Sequence, residues 1–493
     1  MNNNNTINNI NNILKDFQKE GIQTLYDNEK THGLGSILAY DMGLGKTMTM
    51  SSFLIQQRIK ETPEHADLIV VPLAVLNQWK KEILRLDETR KVFIYHGPKR
   101  VKELGKEIDG VDFVISTFHS LVTRELECYE WNRVVVDEAH TLRNGIETKF
   151  RSVPKKVIGA YALQEVSKYR YCITGTPYNN RNEDIMSLMK FIGHEHTEDR
   201  IPEFIKNCVL QKTKEGIMEA VNTEIINIKK PENIKDYDNL ERMYYSLLSQ
   251  MAKANGIDAK ALYLRAMGTL SMLRVYCDLM KPSCMKRVIT GEDDDNEYYE
   301  DYIYTYEERL SFYDSSIKIK TICDKANELI YKVHKKRIII FSSFVSVLEV
   351  IEAVLNERNK DVLTFKYIGS LNRDQRQVII DSFTNEDETR PMILLASLGA
   401  SSCGLNLTPC STVFLADISN NPFDQIQAVN RVHRITQTEQ VNVYKFCMKD
   451  MIEESLLRRQ EDKIQAAKDS GLIMVDDIII NKDGETVVIE ETL

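Results

Sequence analysis

Seven residues, Asp41-Met42-Gly43-Leu44-Gly45-Lys46-Thr47, follow the apolar run Ser36-Ile37-Leu38-Ala39 and precede a long helical pattern beginning at Met48. This junction restricts the chain to folds in which a short buried strand turns sharply into a helix. Such a turn gathers backbone N–H groups and the positive end of the helix around one point, where an anion can sit. Gly43 and Gly45 let the backbone come close to a phosphate. Lys46 can reach the outer phosphates of a nucleotide, and the Thr47 hydroxyl can ligate Mg²⁺. Tyr40 stands where the general pattern of such loops has its first glycine. A bland glycine-rich turn would have the same local spacing, so the residues downstream must decide.

The surroundings alternate in the manner of a parallel sheet. Strand-like runs at 67–72, 91–95, 112–117, 133–136 and 171–174 are separated by amphipathic stretches such as Leu76 to Leu86, as expected for strands covered on both faces. A second series begins at Arg337, with strands at 337–341, 365–367, 392–395, 413–415 and 441–446, helices at 345–356 and 373–383, and a charged closing helix at 451–467. Between the two series, from about Glu183 to Lys286, the strand signal disappears, and Leu240 to Met280 reads as helix rich in Met, Leu and Tyr. The expected fold class is therefore α/β, two parallel-sheet lobes with a helical insertion between them. Its divisions are a disordered Asn-rich lead at 1–12, a first lobe at 13–190, a helical insertion and acidic linker at 191–315, a second lobe at 316–470 and a tail at 471–493. The tail reads as a hairpin turning on Asp483-Gly484. The acidic stretch 291–301 reads as a solvated tether.

A chain of 493 residues exceeds what one core can hold. No apolar run approaches the ~20 residues of a membrane helix, and the N-terminus lacks the basic flank and apolar centre of a signal peptide. Nine cysteines without a C-x-x-C pair support neither a disulfide framework nor a zinc module, and point to a reducing intracellular compartment. The net charge of −9 argues against a protein that coats nucleic acid, while a local basic groove remains compatible with it.

Asp137-Glu138-Ala139-His140 ends the apolar strand Val134-Val135-Val136, where open parallel sheets place ligand-binding residues. Asp137 can hold Mg²⁺ through its water shell, and Glu138 can orient or deprotonate an attacking water. Thr174-Gly175-Thr176-Pro177 follows the next buried strand and suits a segment that senses the nucleotide. In the second series, Gly404-Leu405-Asn406-Leu407 is followed by Gln427 through Ile435. Arg431 and Arg434 are three apart and are expected on one face of a helix. Two guanidiniums so placed fit a clamp on a γ-phosphate; an exposed basic helix face is the plain alternative.

Taken together these stretches, with the Gln18 segment, Val71-Pro72-Leu73 and Trp79, Phe341-Ser342-Ser343-Phe344, Asn421-Pro422, His433 and Gln437, resemble a Swi/Snf-type (sucrose-non-fermenting) DNA-dependent ATPase of helicase superfamily two. The likeness runs in order from residue 13 to 470. It implies two RecA-like lobes and an ATP and Mg²⁺ site. The nucleotide contacts it implies are Gln18, Met42, Gly43, Leu44, Gly45, Lys46, Thr47, Gly404, Arg431 and Arg434, with Thr47 and Asp137 at the metal and Glu138, Asp137, Arg431 and Arg434 in catalysis. It implies double-stranded DNA as partner, with Lys80 and Lys81 near Trp79, and Ser116, Thr117 and His119 at a strand end, as candidate contacts. DNA-bound proteins such as nucleosomes or a polymerase are the expected objects of the motor, with no membrane and no zinc module.

Tyr40, Asn420 and Ala400-Ser401-Ser402-Cys403 depart from the family pattern. The chain carries no reader module, and its compact form is similar to versions in large DNA viruses, including the global-transactivator type. A nuclear location, or a host nucleus or viral factory, would follow. A strand-separating helicase acting on DNA or RNA is the alternative within the same fold, and a non-catalytic scaffold the alternative outside it.

Overall fold

The computed structural model describes residues 2–97, 110–143, 145–147, 152–175, 182–232, 234–254, 256–280, 285–289, 297–301, 305–401, 405–469 and 487–489. The chain divides into two compact units, Met1–Met218 with Gln465–Asp476, and Glu219–Ile464 with Asp477–Leu493.

In the first unit seven strands form one sheet: β1 (Ile37–Tyr40), β2 (Asp67–Val71), β3 (Val92–Tyr95), β4 (Phe113–Thr117), β5 (Trp131–Asp137), β6 (Ser167–Ile173) and β7 (Val209–Lys212). Their order is β3-β4-β2-β5-β6-β1-β7, and every pairing is parallel. Every residue of β2, β4 and β5 is buried. That suits the apolar runs they carry, at 68–71, 113–115 and 134–136, since neither face meets water. One face carries the helices α1 (Asn2–Ile13), α2 (Asp16–His32), α3 (Lys46–Glu61) and α4 (Leu76–Leu86), packed through Leu25, Phe53, Trp79 and Ile83. The other is covered through Val157, Leu188 and Phe191.

The Asn-rich lead is a correction to the sequence reading: it is helical, not disordered. Ile10 and Leu14, one helical turn apart, enter the same core as α3, and Asn11 accepts a hydrogen bond from Gln56 at 3.1 Å. Asparagine is a poor helix former, but burial of an apolar stripe outweighs propensity.

A buried ion cluster fastens these layers. Arg133, in the middle of β5, donates to both carboxylate oxygens of Glu29 on α2 at 2.6 and 2.8 Å and to Glu61 on α3 at 2.8 Å. Such a charge is tolerable away from water only because its partners are in place.

The second unit contains a further all-parallel sheet of seven strands. In spatial order they are β12 (Leu363–Tyr367), β13 (Met392–Ser397), β11 (Arg337–Ser342), β14 (Thr412–Leu415), β15 (Asn442–Met448), β8 (Asn222–Ile228) and β16 (Val487–Ile489). The helices Lys235–Met251 and Gly256–Leu279 share one apolar core with Ile338, Ile340 and Phe414, so the helical stretch is a covering layer of this unit.

Two strands arise where the sequence showed none. β7 is only four residues long, and β8 carries Asn222, Glu224 and Asn227, residue types that strands disfavour. Each is held by pairing to a neighbour, β7 to β1 and β8 to β15. The ends of the acidic linker likewise pair: β9 (Met285–Ile289) runs antiparallel to β10 (Glu297–Asp301), with Glu300 opposite Lys286. Thus 297–301 is strand rather than tether, and 290–296 lie outside the described residues. So does the expected turn at Asp483-Gly484; β16 beyond it pairs parallel with β8. No helix among the described residues is long and apolar enough to cross a membrane.

Lys445, on the interior strand β15, is 2% exposed, and burial brings its amine down to about 7 against the pull of Glu461. The folded state thus favours the neutral amine while the unfolded chain keeps it charged up to about pH 10.4. Between these values the unfolded state binds more protons, so this group's contribution favours folding more as pH rises, by at most about 1.4 kcal/mol per pH unit. Lys445→Met should remove that slope. Chemical denaturation of both proteins from pH 6 to 10 checks it: the stability difference should be largest in favour of the variant near pH 6 and shrink toward pH 10.

Candidate active site

Sheet order places the functional loops. β6 lies between β5 and β1, and Ile173 is level with both Asp137 and Leu38. The segments that leave these three strands therefore emerge at one carboxyl edge: the phosphate loop after β1, Asp137-Glu138 at the end of β5 and Thr174-Gly175 after β6. Parallel sheets bind ligands at this edge because strand ends and following helices both converge there.

Gly43 and Gly45 have φ of 92° and 79°, the left-handed region that a side chain disfavours. A Cβ on Gly45 would also lie 2.6 Å from Gln18 Nε2. The Lys46 ammonium donates to Tyr40 O at 2.9 Å and Asp41 O at 3.3 Å, which holds it over the loop. Gln18, on the first turn of α2, donates to Leu44 O at 3.1 Å and accepts from Lys15 N at 3.0 Å. The predicted contacts Gln18, Met42, Gly43, Leu44, Gly45, Lys46 and Thr47 therefore belong to one loop and its strap. Thr174 is buried, and a Cβ on Gly175 would sit 2.9 Å from Met42 Cγ and 3.4 Å from Lys46 Nζ, so the β6 exit lies against the phosphate loop. Thr176, Pro177 and Gly404 lie outside the described residues.

Asp137 is held from two sides. The indole N–H of Trp79 donates to its Oδ2, and the backbone N–H of Glu138 to its Oδ1, both at 2.8 Å. Burial, with the Glu138 carboxylate beside it, raises Asp137 to about 6, against the pull of those hydrogen bonds and of Lys46. That Lys46 acts on Asp137 joins the two motifs electrostatically. Glu138 has a φ of 50°, a left-handed conformation that costs a non-glycine residue about 1–3 kcal/mol. Its carboxylate lies 3.2 Å from His140 Nδ1.

Arg431 and Arg434 correct the sequence reading. The helix Pro422–Val429 ends before them, and both stand in the turns that follow. They still act on each other: burial and the positive charge of Arg431 lower Arg434 to about 9. Arg434 donates through Nη2 to Leu405 O, and Leu407 N donates to Arg431 O at 3.0 Å, which ties the pair to the Leu405-Asn406-Leu407 segment.

The DNA candidates separate by exposure. Lys81 and His119 are exposed, Lys80 is half-buried and Thr117 is buried at the end of β4. Ser116 is fully buried and donates to Tyr95 O at 3.0 Å, an internal role that excludes contact with a ligand.

Other residues escaped sequence reasoning. Trp79 read as a neighbour of surface lysines and instead reaches Asp137. Arg143 is half-buried near Glu138 and Asp184, whose carboxylates oppose the lowering that partial burial imposes on its guanidinium. Asp417, just beyond β14, accepts from Ser342 Oγ at 2.6 Å, Ser343 N at 2.8 Å and Arg274 at 2.8 Å. Its one signal was an acid following a buried strand, the pattern that flagged Asp137.

An all-parallel sheet whose carboxyl edge unites a glycine-built anion loop, its lysine and a buried Asp-Glu pair defines a phosphate-loop α/β protein. Residues 17–253 match the SNF2-related domain and residues 320–436 the helicase conserved C-terminal domain. The chain belongs to the SNF2-related family. It is 26% identical over 483 residues to the ISWI chromatin-remodeling complex ATPase ISW1 of Saccharomyces cerevisiae, covering 92% of this chain and 40% of that protein. It is 26% identical over 486 residues to chromodomain-helicase-DNA-binding protein 1 of Gallus gallus, covering 92% of this chain and 26% of that protein. With the probable global transactivator of Orgyia pseudotsugata multicapsid polyhedrosis virus the identity is 25% over 485 residues, covering 92% of this chain and 90% of that protein. The chain thus spans well under half of the first two relatives and most of the viral one.

Trp79→Phe tests the bond to Asp137. Without the indole N–H the carboxylate loses a hydrogen bond that favours its charged form, worth about 1.5–3 kcal/mol for a charged acceptor. With Asp137 as the proposed holder of Mg²⁺, the Mg²⁺ concentration for half-maximal nucleotide binding should rise at least about tenfold. Fluorescent-nucleotide titrations at fixed pH and varied Mg²⁺ measure it, and an unchanged midpoint contradicts the assignment.

Proposed function

We propose that the protein is an ATP-dependent double-stranded DNA translocase of the Swi/Snf type, which hydrolyses ATP to move along DNA and remodel protein–DNA complexes in transcription, chromatin or repair. The observation that carries the proposal is the gathering of Lys46, Asp137, Glu138 and Gly175 at one sheet edge in a chain of the SNF2-related family. The relation to a chromatin-remodeling ATPase and to a DNA-binding helicase protein supports DNA as the partner. These relatives and the viral transactivator favour action at nuclear or viral DNA, with nucleosomes or a polymerase as candidate obstacles.

The residues present suit ATP with Mg²⁺. The metal takes few protein ligands, commonly one or two carboxylates beside substrate phosphates. The Thr47 hydroxyl and the buried, oriented Asp137 meet that need. When bound, the ion neutralises charge on the phosphates. Lys46 and the loop N–H groups bind and orient the same phosphates, and Glu138, fixed in a strained conformation next to Asp137, accepts a proton from the attacking water. Arg431 and Arg434 offer two further guanidiniums for charge that develops in transfer. Contacts to DNA from Lys80, Lys81, Thr117 and His119 would fall on phosphates, giving binding that is independent of sequence and sensitive to salt.

Lys46→Ala should lose ATP binding, whereas Glu138→Gln should bind ATP normally and lose turnover, because the lysine holds the ground-state phosphates and the glutamate acts on water. Equilibrium binding paired with phosphate release distinguishes them; wild-type turnover in Glu138→Gln would assign the proton to another group.

Translocation and strand separation differ in cost. Opening each base-pair step forfeits about 1.4 kcal/mol of stacking, which a motor gripping intact phosphates avoids. ATP turnover should therefore rise strongly with duplex DNA and little with RNA, and the protein should displace a third strand from a triplex. ATP-driven release of one strand from a forked duplex without triplex displacement would establish the helicase alternative.

A further inference from the structure

Tyr40, which occupies the position of the first glycine in the general loop pattern, ends β1 with its side chain 3% exposed. Its hydroxyl donates to Phe17 O at 3.1 Å, and its ring meets that of Phe17 edge-on, 5.7 Å between centroids. Gly21, one turn further along α2, makes the room: a Cβ there would collide with the Tyr40 hydroxyl. Phe17 immediately precedes Gln18, whose amide is bonded to Leu44 O in the phosphate loop. The first turn of α2 is therefore fastened at two successive residues, once by the strand that enters the loop and once by the loop itself.

A glutamine amide has two hydrogens and two lone-pair sites. Leu44 O takes one hydrogen and Lys15 N one lone pair. The donor and acceptor left over match the N7 and N6 edge of adenine, while guanine presents two acceptors there.

We propose that Tyr40 is a positioning residue for nucleotide selectivity: its hydroxyl fixes the turn that carries Gln18, and thereby the angle at which Gln18 offers its free donor and acceptor to an adenine base. The inference rests on the reading of Gln18 as a nucleotide contact. Burial, aided by the Glu20 carboxylate, pushes Tyr40 up to about 12, so the hydroxyl remains a donor at any working pH. Phosphate binding reaches Tyr40 by a separate route, through its backbone carbonyl and Lys46. A change confined to the hydroxyl therefore acts on the base and spares the phosphates.

The test compares ATP and GTP hydrolysis by the full chain with Tyr40→Phe and Gln18→Ala. Tyr40→Phe should raise KM for ATP about fivefold, the scale of one ordinary hydrogen bond, leave KM for GTP and kcat for both unchanged, and so narrow the preference for ATP. Gln18→Ala should narrow it at least as far. If Tyr40→Phe lowers thermal stability enough to blur the comparison, Gly21→Ala gives an independent route, since its methyl displaces the hydroxyl and should narrow the same ratio. A narrowed ratio in Gln18→Ala beside a wild-type ratio in Tyr40→Phe overturns the positioning role while leaving the Gln18 reading intact. A wild-type ratio in Gln18→Ala overturns that reading and the inference with it. A fall in kcat at unchanged ratio also overturns the inference, since it places Tyr40 with the phosphates.

Discussion

Parallel register between β5, β6 and β1 is the constraint on which the candidate site depends. Because all three strands run the same way, their carboxyl ends stop level with one another, and chemistry carried by three distant segments meets without any long loop. The register is held by what lies beneath it. Arg133 on β5 and its partners on α2 and α3 anchor the helix that carries Gln18 and the helix that begins at Lys46 to the strand that ends in Asp137. One buried guanidinium thus joins the nucleotide strap, the phosphate loop and the acidic pair through their secondary structure, at a distance from the reacting atoms. Loss of Glu29 would take both of its hydrogen bonds from the buried guanidinium, so the arrangement tolerates little change there.

Much of the fold was legible because the strands are buried on both faces. β2, β4, β5, β11 and β13 announce themselves as apolar runs, and their alternation with amphipathic helices leaves a parallel sheet as the natural solution. What escaped was set by tertiary pairing. β8 has too many polar residues to read as a strand and exists because β15 offers it a ladder of hydrogen bonds. The N-terminal helix has a composition that argues for disorder and is decided by Ile10 and Leu14 against α3. Local preference lost in both places to a surface that the sequence does not display.

The site divides in the same way. Gly43, Gly45, Lys46, Thr47, Asp137 and Glu138 could be named from spacing because their roles depend on backbone shape and charge at a strand exit. Partners that come from elsewhere in the chain could not. The indole of Trp79 on Asp137, the carboxylate of Asp417 beneath Ser342 and Ser343, and the hydroxyl of Tyr40 on Phe17 all bridge segments with no common motif. The helix expected under Arg431 and Arg434 failed for a related reason: the chain turns after Val429 and continues as a string of tight turns, through which both arginines reach the 405–407 segment.

The chain has two tryptophans, and both belong to the first unit. Trp131 opens β5 and donates to Leu126 O at 2.9 Å, while Trp79 is bonded to the aspartate that closes the same strand. One seven-residue strand, about 23 Å at 3.3 Å per residue, thus has an indole at its start and another indole bonded to its end. Tryptophan emission is therefore blind to the second unit. Any melting curve recorded by it describes the phosphate-loop half of the molecule alone, whereas far-ultraviolet circular dichroism sees both halves, and the separation between the two curves measures how far the units unfold as one.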